Sequence, residues 1–143
     1  MAGNPVGWFE IYVQDMVRAK AFYESMLQVQ LNKLPNNDYD LMAFPSDMST
    51  YGAGGALVKM DGMPSGGNST LVYFSCPDCG PVAKRAAASG GAIFRDKFSI
   101  GDYGFIALCT DTEGNMFGLH SMQWATRGRS ARCLTRRRRS FAQ

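Results

Sequence analysis

Residues 6–13 alternate along the chain: Trp8, Glu10 and Tyr12 fall on one side, Phe9, Ile11 and Val13 on the other. Period-two alternation in β-branched and aromatic residues predicts a strand. Asp15 then offers an N-cap to a helix over 16–27, where Ala19, Phe22, Tyr23, Met26 and Leu27 recur at helical spacing. Apolar stretches at 29–33, 39–44 and 53–60 predict three more strands, separated by turn-forming residues around Pro35 and Pro45. The order is β-α-β-β-β.

The same order returns after a turn-rich connector at 61–69. A strand is predicted over 70–76, a helix from the cap Asp78 to about Ser89, where Gly90-Gly91 ends it, and strands over 92–95, 105–109 and 115–120. The sequence itself carries the echo. Tyr-x-Phe-Ile-Ala-Leu at 103–108 answers Tyr-x-Leu-Met-Ala-Phe at 39–44, 64 residues earlier, and a Gly-x-x-x-x-Leu phrase follows in each half, at 114–119 and 52–57. Such self-similarity points to one supersecondary unit used twice. At an offset of 63, Trp8 overlays Leu71, Glu10 overlays Tyr73, Tyr12 overlays Ser75 and Asp15 overlays Asp78. The expected fold is α+β: two tandem β-α-β-β-β modules, about 5–61 and 69–122, forming paired, partly closed mixed sheets around a concave cavity, in one domain spanning 1–122.

Composition changes this picture only at the end of the chain. With 45% apolar and 19% charged residues, 143 residues suit one folded domain. No apolar run reaches the ~20 residues of a membrane helix, and no basic-then-apolar leader opens the chain, so the expectation is a cytoplasmic protein without a membrane partner. The net charge of +3 averages two unlike parts. Residues 1–122 hold 8 basic against 12 acidic residues, a net of −4, whereas 123–143 hold 7 Arg and no acid. That Arg-rich extension lacks the interleaved aromatics of a nucleic-acid-binding stripe and any DNA-reading motif, which argues against a nucleic-acid partner; a disordered or loosely docked extension is expected.

WFEIYVQDMVRAKAFYESML, GGALV, LVYFSCPD and IGDYGFIALCTDTEGNMFGL together resemble the vicinal oxygen chelate superfamily, the glyoxalase, bleomycin-resistance and extradiol dioxygenase fold. The resemblance covers about residues 5–122. It implies two modules, commonly a homodimer, and in many members a divalent metal held by His and Glu on the first and last strands of each module. Carried over by motif spacing, those positions are Trp8, Ala56, Leu71 and Gly118. None has a side chain able to ligate a divalent metal. The expectation is therefore no metal and no other cofactor.

The remaining chemistry on the concave face belongs to Trp8, Glu10, Tyr12, Tyr73, Ser75, Met116 and His120, expected to line one ligand pocket with Trp8 and Met116 as apolar wall. Glu10 and His120 are the best catalytic candidates. Each has a plainer reading: Glu10 as a structural pair or exposed edge residue, His120 as an ordinary hydrogen-bonded histidine, the aromatics as core filling. Cys76-Pro77-Asp78-Cys79 stands at a strand-to-helix junction, where a redox or zinc role has to be weighed against simple reduced thiols. Two functions stay open: a metal-independent small-molecule binding protein, or a metal-dependent lyase, isomerase or dioxygenase-like enzyme with a shifted site around Glu10 and His120.

Overall fold

The computed structural model describes residues 4–35, 39–47 and 49–122; the Arg-rich extension lies outside them. In module one, β1 (Trp8–Tyr12) leads into α1 (Met16–Leu27), followed by β2 (Asn32–Lys33), β3 (Asp40–Ala43) and β4 (Gly54–Lys59). Module two repeats this with β5 (Tyr73–Ser75), α2 (Cys79–Ala88), β6 (Ala92–Ser99), β7 (Phe105–Thr110) and β8 (Met116–Ser121). The sheet orders are β1-β4-β3-β2 and β5-β8-β7-β6, with β1–β4 and β5–β8 parallel and the other pairs antiparallel. The duplication read from the sequence is thus a duplication of topology, in a mixed α+β fold.

Both caps form as their residue types dictate. Asp15 accepts from Arg18 N at 3.0 Å and Asp78 from Gly80 N at 3.0 Å, each satisfying an otherwise orphaned helix donor. Three strand ends differ from expectation. Residues 29–31 are not strand, because Gln28 turns left-handed (φ 54°) and Glu24 takes both Val29 N, at its carbonyl, and Leu31 N, at its carboxylate. Strand β5 begins later than residue 70, although backbone bonds from Gly118 N to Val72 O and from Cys76 N to His120 O continue the ladder at both ends. Strand β6 runs four residues longer than its alternation shows. Two register shifts break the period-two pattern there, and the Arg95 guanidinium stands over the Phe98 ring at 3.5 Å.

The helices pack on one side of the sheets. Ala19, Phe22, Tyr23 and Met26 of α1 and Val82, Ala83 and Ala86 of α2 meet Ile11, Leu57, Ala107, Phe117 and Leu119 in one buried core. Phe9, Phe22, Tyr23, Phe44, Phe74 and Phe117 form an aromatic cluster drawn from both modules, with ring centroids 4.9–6.1 Å apart.

The turn Asp111–Asn115 between β7 and β8 fastens module two onto the start of module one. Asp111 accepts the Tyr23 hydroxyl at 2.7 Å, and Asn115 donates to the Tyr12 carbonyl at 3.0 Å. Glu113 receives Gln14 N (3.0 Å), Asp15 N (2.8 Å), Arg18 Nε (2.8 Å) and the Thr112 hydroxyl (3.0 Å). Burial alone would push this carboxyl up, but the bonds from Arg18, Asp15, Thr112 and Gln14 outweigh it and hold the group at about 2. The Asp-x-Glu-Gly-Asn phrase therefore ties the β7–β8 turn to the end of β1 and to α1.

Candidate functional site

Alternation on β1 turns Phe9 and Ile11 toward the helices and leaves Trp8, Glu10 and Tyr12 on the opposite, concave face. There the Glu10 carboxylate is bracketed by its neighbours: one oxygen accepts Trp8 Nε1 at 3.4 Å, the other the Tyr12 hydroxyl at 3.1 Å. The bond to Glu10 is the first reason the Tyr12 hydroxyl is harder to ionise than an ordinary tyrosine, with partial burial second.

A cavity of about 820 Å³ opens over this strand, walled by Trp8, Glu10, Tyr12, Leu71, Tyr73 and Met116. A second, of about 960 Å³, is walled by Tyr51, Tyr73, Ser75, Ile106, His120 and Met122. Val6, Ala53 and Tyr73 border both. The seven residues proposed from the sequence thus distribute over two adjoining cavities, with Tyr73 at the division. Glu10 belongs to the first and His120 to the second. His120 also donates a ring N–H to the Tyr103 carbonyl at 2.6 Å, which anchors its imidazole to the loop before β7.

The positions that the superfamily's metal set would use sit in four different surroundings. Ala56 is fully buried beneath a small cluster with Leu41, Val58 and Tyr12. Trp8 is half-exposed at the cavity wall, and Leu71 lines the same cavity from the segment just before β5. Gly118 lies under the Tyr73 ring, so a Cβ there would collide with it. Among the described residues no group of three or more His, Cys, Asp or Glu could hold a metal ion. The residues present do not fit the superfamily's metal.

Neither Cys76 nor Cys109 is an activated thiol. Burial pushes Cys76 and Cys109 up to about 11, the opposite of what a nucleophilic Cys-x-x-Cys requires. The N-terminus of α2 is already occupied by the Asp78 carboxylate, which also pairs with Lys97 at 2.7 Å. Cys133 lies outside the described residues.

Several cavity-forming residues gave no sequence signal beyond turn composition. Asn68 is one: its side chain donates to the Met116 carbonyl at 2.6 Å and accepts Met116 N at 3.0 Å, imitating a neighbouring strand. It thereby holds the connector as a wall of the Glu10 cavity. Ser65 and Gln14 tie the same connector to module one, Ser65 through the Tyr12 carbonyl at 2.6 Å and Gln14 through the Met63 carbonyl at 2.8 Å.

Two duplicated α+β modules, fastened by a shared turn and carrying cavities on the face away from their helices, define a scaffold class. The sequence profile of the Glyoxalase/Bleomycin resistance protein/Dioxygenase superfamily matches residues 6–119, and the chain belongs to that superfamily. No curated protein sequence matches it. Solved structures of similar fold include TnmS3, an antibiotic binding protein from Streptomyces sp. CB03234, with 24% identity, coverage of 86% of this chain and 99% of that one, and a TM-score of 0.64. Glyoxalase I from Zea mays shares 21% identity at a TM-score of 0.64, over 82% of this chain but 46% of the maize chain. A hypothetical protein, SA1046 from S. aureus, shares 14% identity at a TM-score of 0.64, over 84% and 95%. No described helix is long and apolar enough to cross a membrane.

Proposed function

We propose that this chain is a small-molecule binding protein of the superfamily that works without its metal. The observation that carries this reading is the occupancy of the four ligand positions by Trp8, Ala56, Leu71 and Gly118, with the Tyr73 ring lying where a side chain at 118 would begin. A carboxylate could not be accommodated there unless that ring moved. TnmS3, of similar fold, is described as an antibiotic binding protein, and the apolar-walled cavity beside Glu10 suits small-molecule binding here.

The ligand would rest on Trp8, Tyr73 and Met116, with Glu10 as polar anchor and Tyr12 orienting the carboxylate. Homodimer formation is part of the proposal, supported by the exposed apolar side chains Val6, Trp8, Tyr51 and Tyr73 at the cavity rims. Catalysis by Glu10 and His120 acting together is the competing reading, and their separation into two cavities speaks against it. Thermal-shift screening of aromatic small molecules in the presence of a chelator tests the proposal. Stabilisation that persists in chelator supports it; stabilisation that appears only after adding a divalent metal contradicts it.

A further inference from the structure

The geometry points to organic cations as the ligand class of the Glu10 cavity, an inference that rests on the reading of that cavity as a ligand site. Glu10 is the single formally charged residue among the described residues that wall it. Its two bonded partners, the Trp8 indole and the Tyr12 hydroxyl, are neutral donors that orient the carboxylate and leave its charge in place. The described ion pairs, Arg18–Glu113, Lys20–Glu24 and Lys97–Asp78, draw on none of these residues.

Around the charge stand Trp8, Tyr12 and Tyr73, the first and last 45% and 46% exposed. A negative charge set among aromatic rings, whose faces attract cations, is complementary to an ammonium or delocalised cation carried on an apolar body. A neutral ligand would leave that charge unanswered. At ~6 Å and an effective dielectric of ~40, Coulomb's law gives about a tenfold attraction for a cation and a similar repulsion for an anion.

The test uses the full chain and three probes. Nile red, a neutral dye, reports the cavity; tetraphenylphosphonium and tetraphenylborate, alike in shape and opposite in charge, compete for it. The measured quantity is the ratio of the two displacement midpoints at physiological salt, in the wild-type protein and in Glu10→Gln. Displacement confines the readout to the cavity, so anion binding to the arginines of 123–143 does not enter. Removing the charge should shift the ratio at least tenfold toward the anion. A ratio unchanged by Glu10→Gln overturns the cation assignment and leaves the small-molecule reading standing. Failure of all three probes to bind overturns both.

Discussion

Tyr73 lays its ring over Gly118, its direct partner on the parallel neighbouring strand, in the space that a Cβ at 118 would need. Module one has a counterpart on its core-facing side, where Phe9 covers its partner Gly55. A glycine opposite an aromatic lets the ring lie flat on the sheet; an added methyl must displace it. The two pairs differ in how freely the ring can yield.

Gly118→Ala should cost about 1 kcal/mol, because the half-exposed Tyr73 ring can swing into the cavity. Most of that cost should vanish in a Tyr73→Ala background. Gly55→Ala should cost more, about 2–3 kcal/mol, since Phe9 is held between Phe44 and Phe74 at centroid distances of 5.7 and 6.0 Å. Urea unfolding of the variants gives both values; equal costs at the two sites would show that the Phe9 packing does not resist displacement.

Glu113 sets the acid limb of stability. Its carboxyl titrates at about 2 in the folded chain, against an ordinary value of 4.5. A depressed folded value contributes stability that is fully present above 4.5 and is lost as pH falls toward 2. Glu113→Gln should therefore lower stability by about 2 kcal/mol at pH 7, and the gap to wild type should shrink below pH 4.5 and close only as pH falls through the folded value of about 2. Parallel stability curves across that interval would remove Glu113 from this role.

Cys76 and Cys109, pushed up to about 11 from 9.0, hold about a hundredfold less thiolate at neutral pH than ordinary thiols. Peptide-resolved alkylation at pH 7.5 should leave both unmodified at times when the urea-unfolded chain is fully labelled. Rapid native labelling of Cys76 would revive a redox role for the Cys-x-x-Cys.

The proposed dimer predicts a solution mass of twice 15.7 kDa by light scattering. It also predicts that Trp8→Glu, which places a second charge on the exposed β1 face, returns the protein to a monomer. A wild-type monomer at micromolar concentration would contradict this part of the account.

The fold was legible because its signals are local and doubled. Asp15 and Asp78 cap both helices, and the echo between 39–44 and 103–108 falls on equivalent strands, β3 and β7. Alternation failed where the backbone left ideal pairing, as in β6 with its register shifts and at 29–31 where Glu24 claims two amides. In the candidate site, alternation correctly assigned Trp8, Glu10 and Tyr12 to one face, since their side is set within a single strand. The division between the cavities was not legible, because it depends on where the Tyr73 ring rests and on long-range contacts such as Asn68 with Met116. No spacing rule encodes either contact.

The central claim, that ligand binding here needs no metal, is tested most directly by elemental mass spectrometry on the untagged protein before and after dialysis against divalent ions. The account predicts less than about a tenth of an equivalent of any transition metal per chain in both states, consistent with an indole, a methyl, an isobutyl group and a hydrogen at the four positions. One equivalent of a chelator-sensitive metal per chain would contradict it and return the search to an enzyme built around Glu10 and His120.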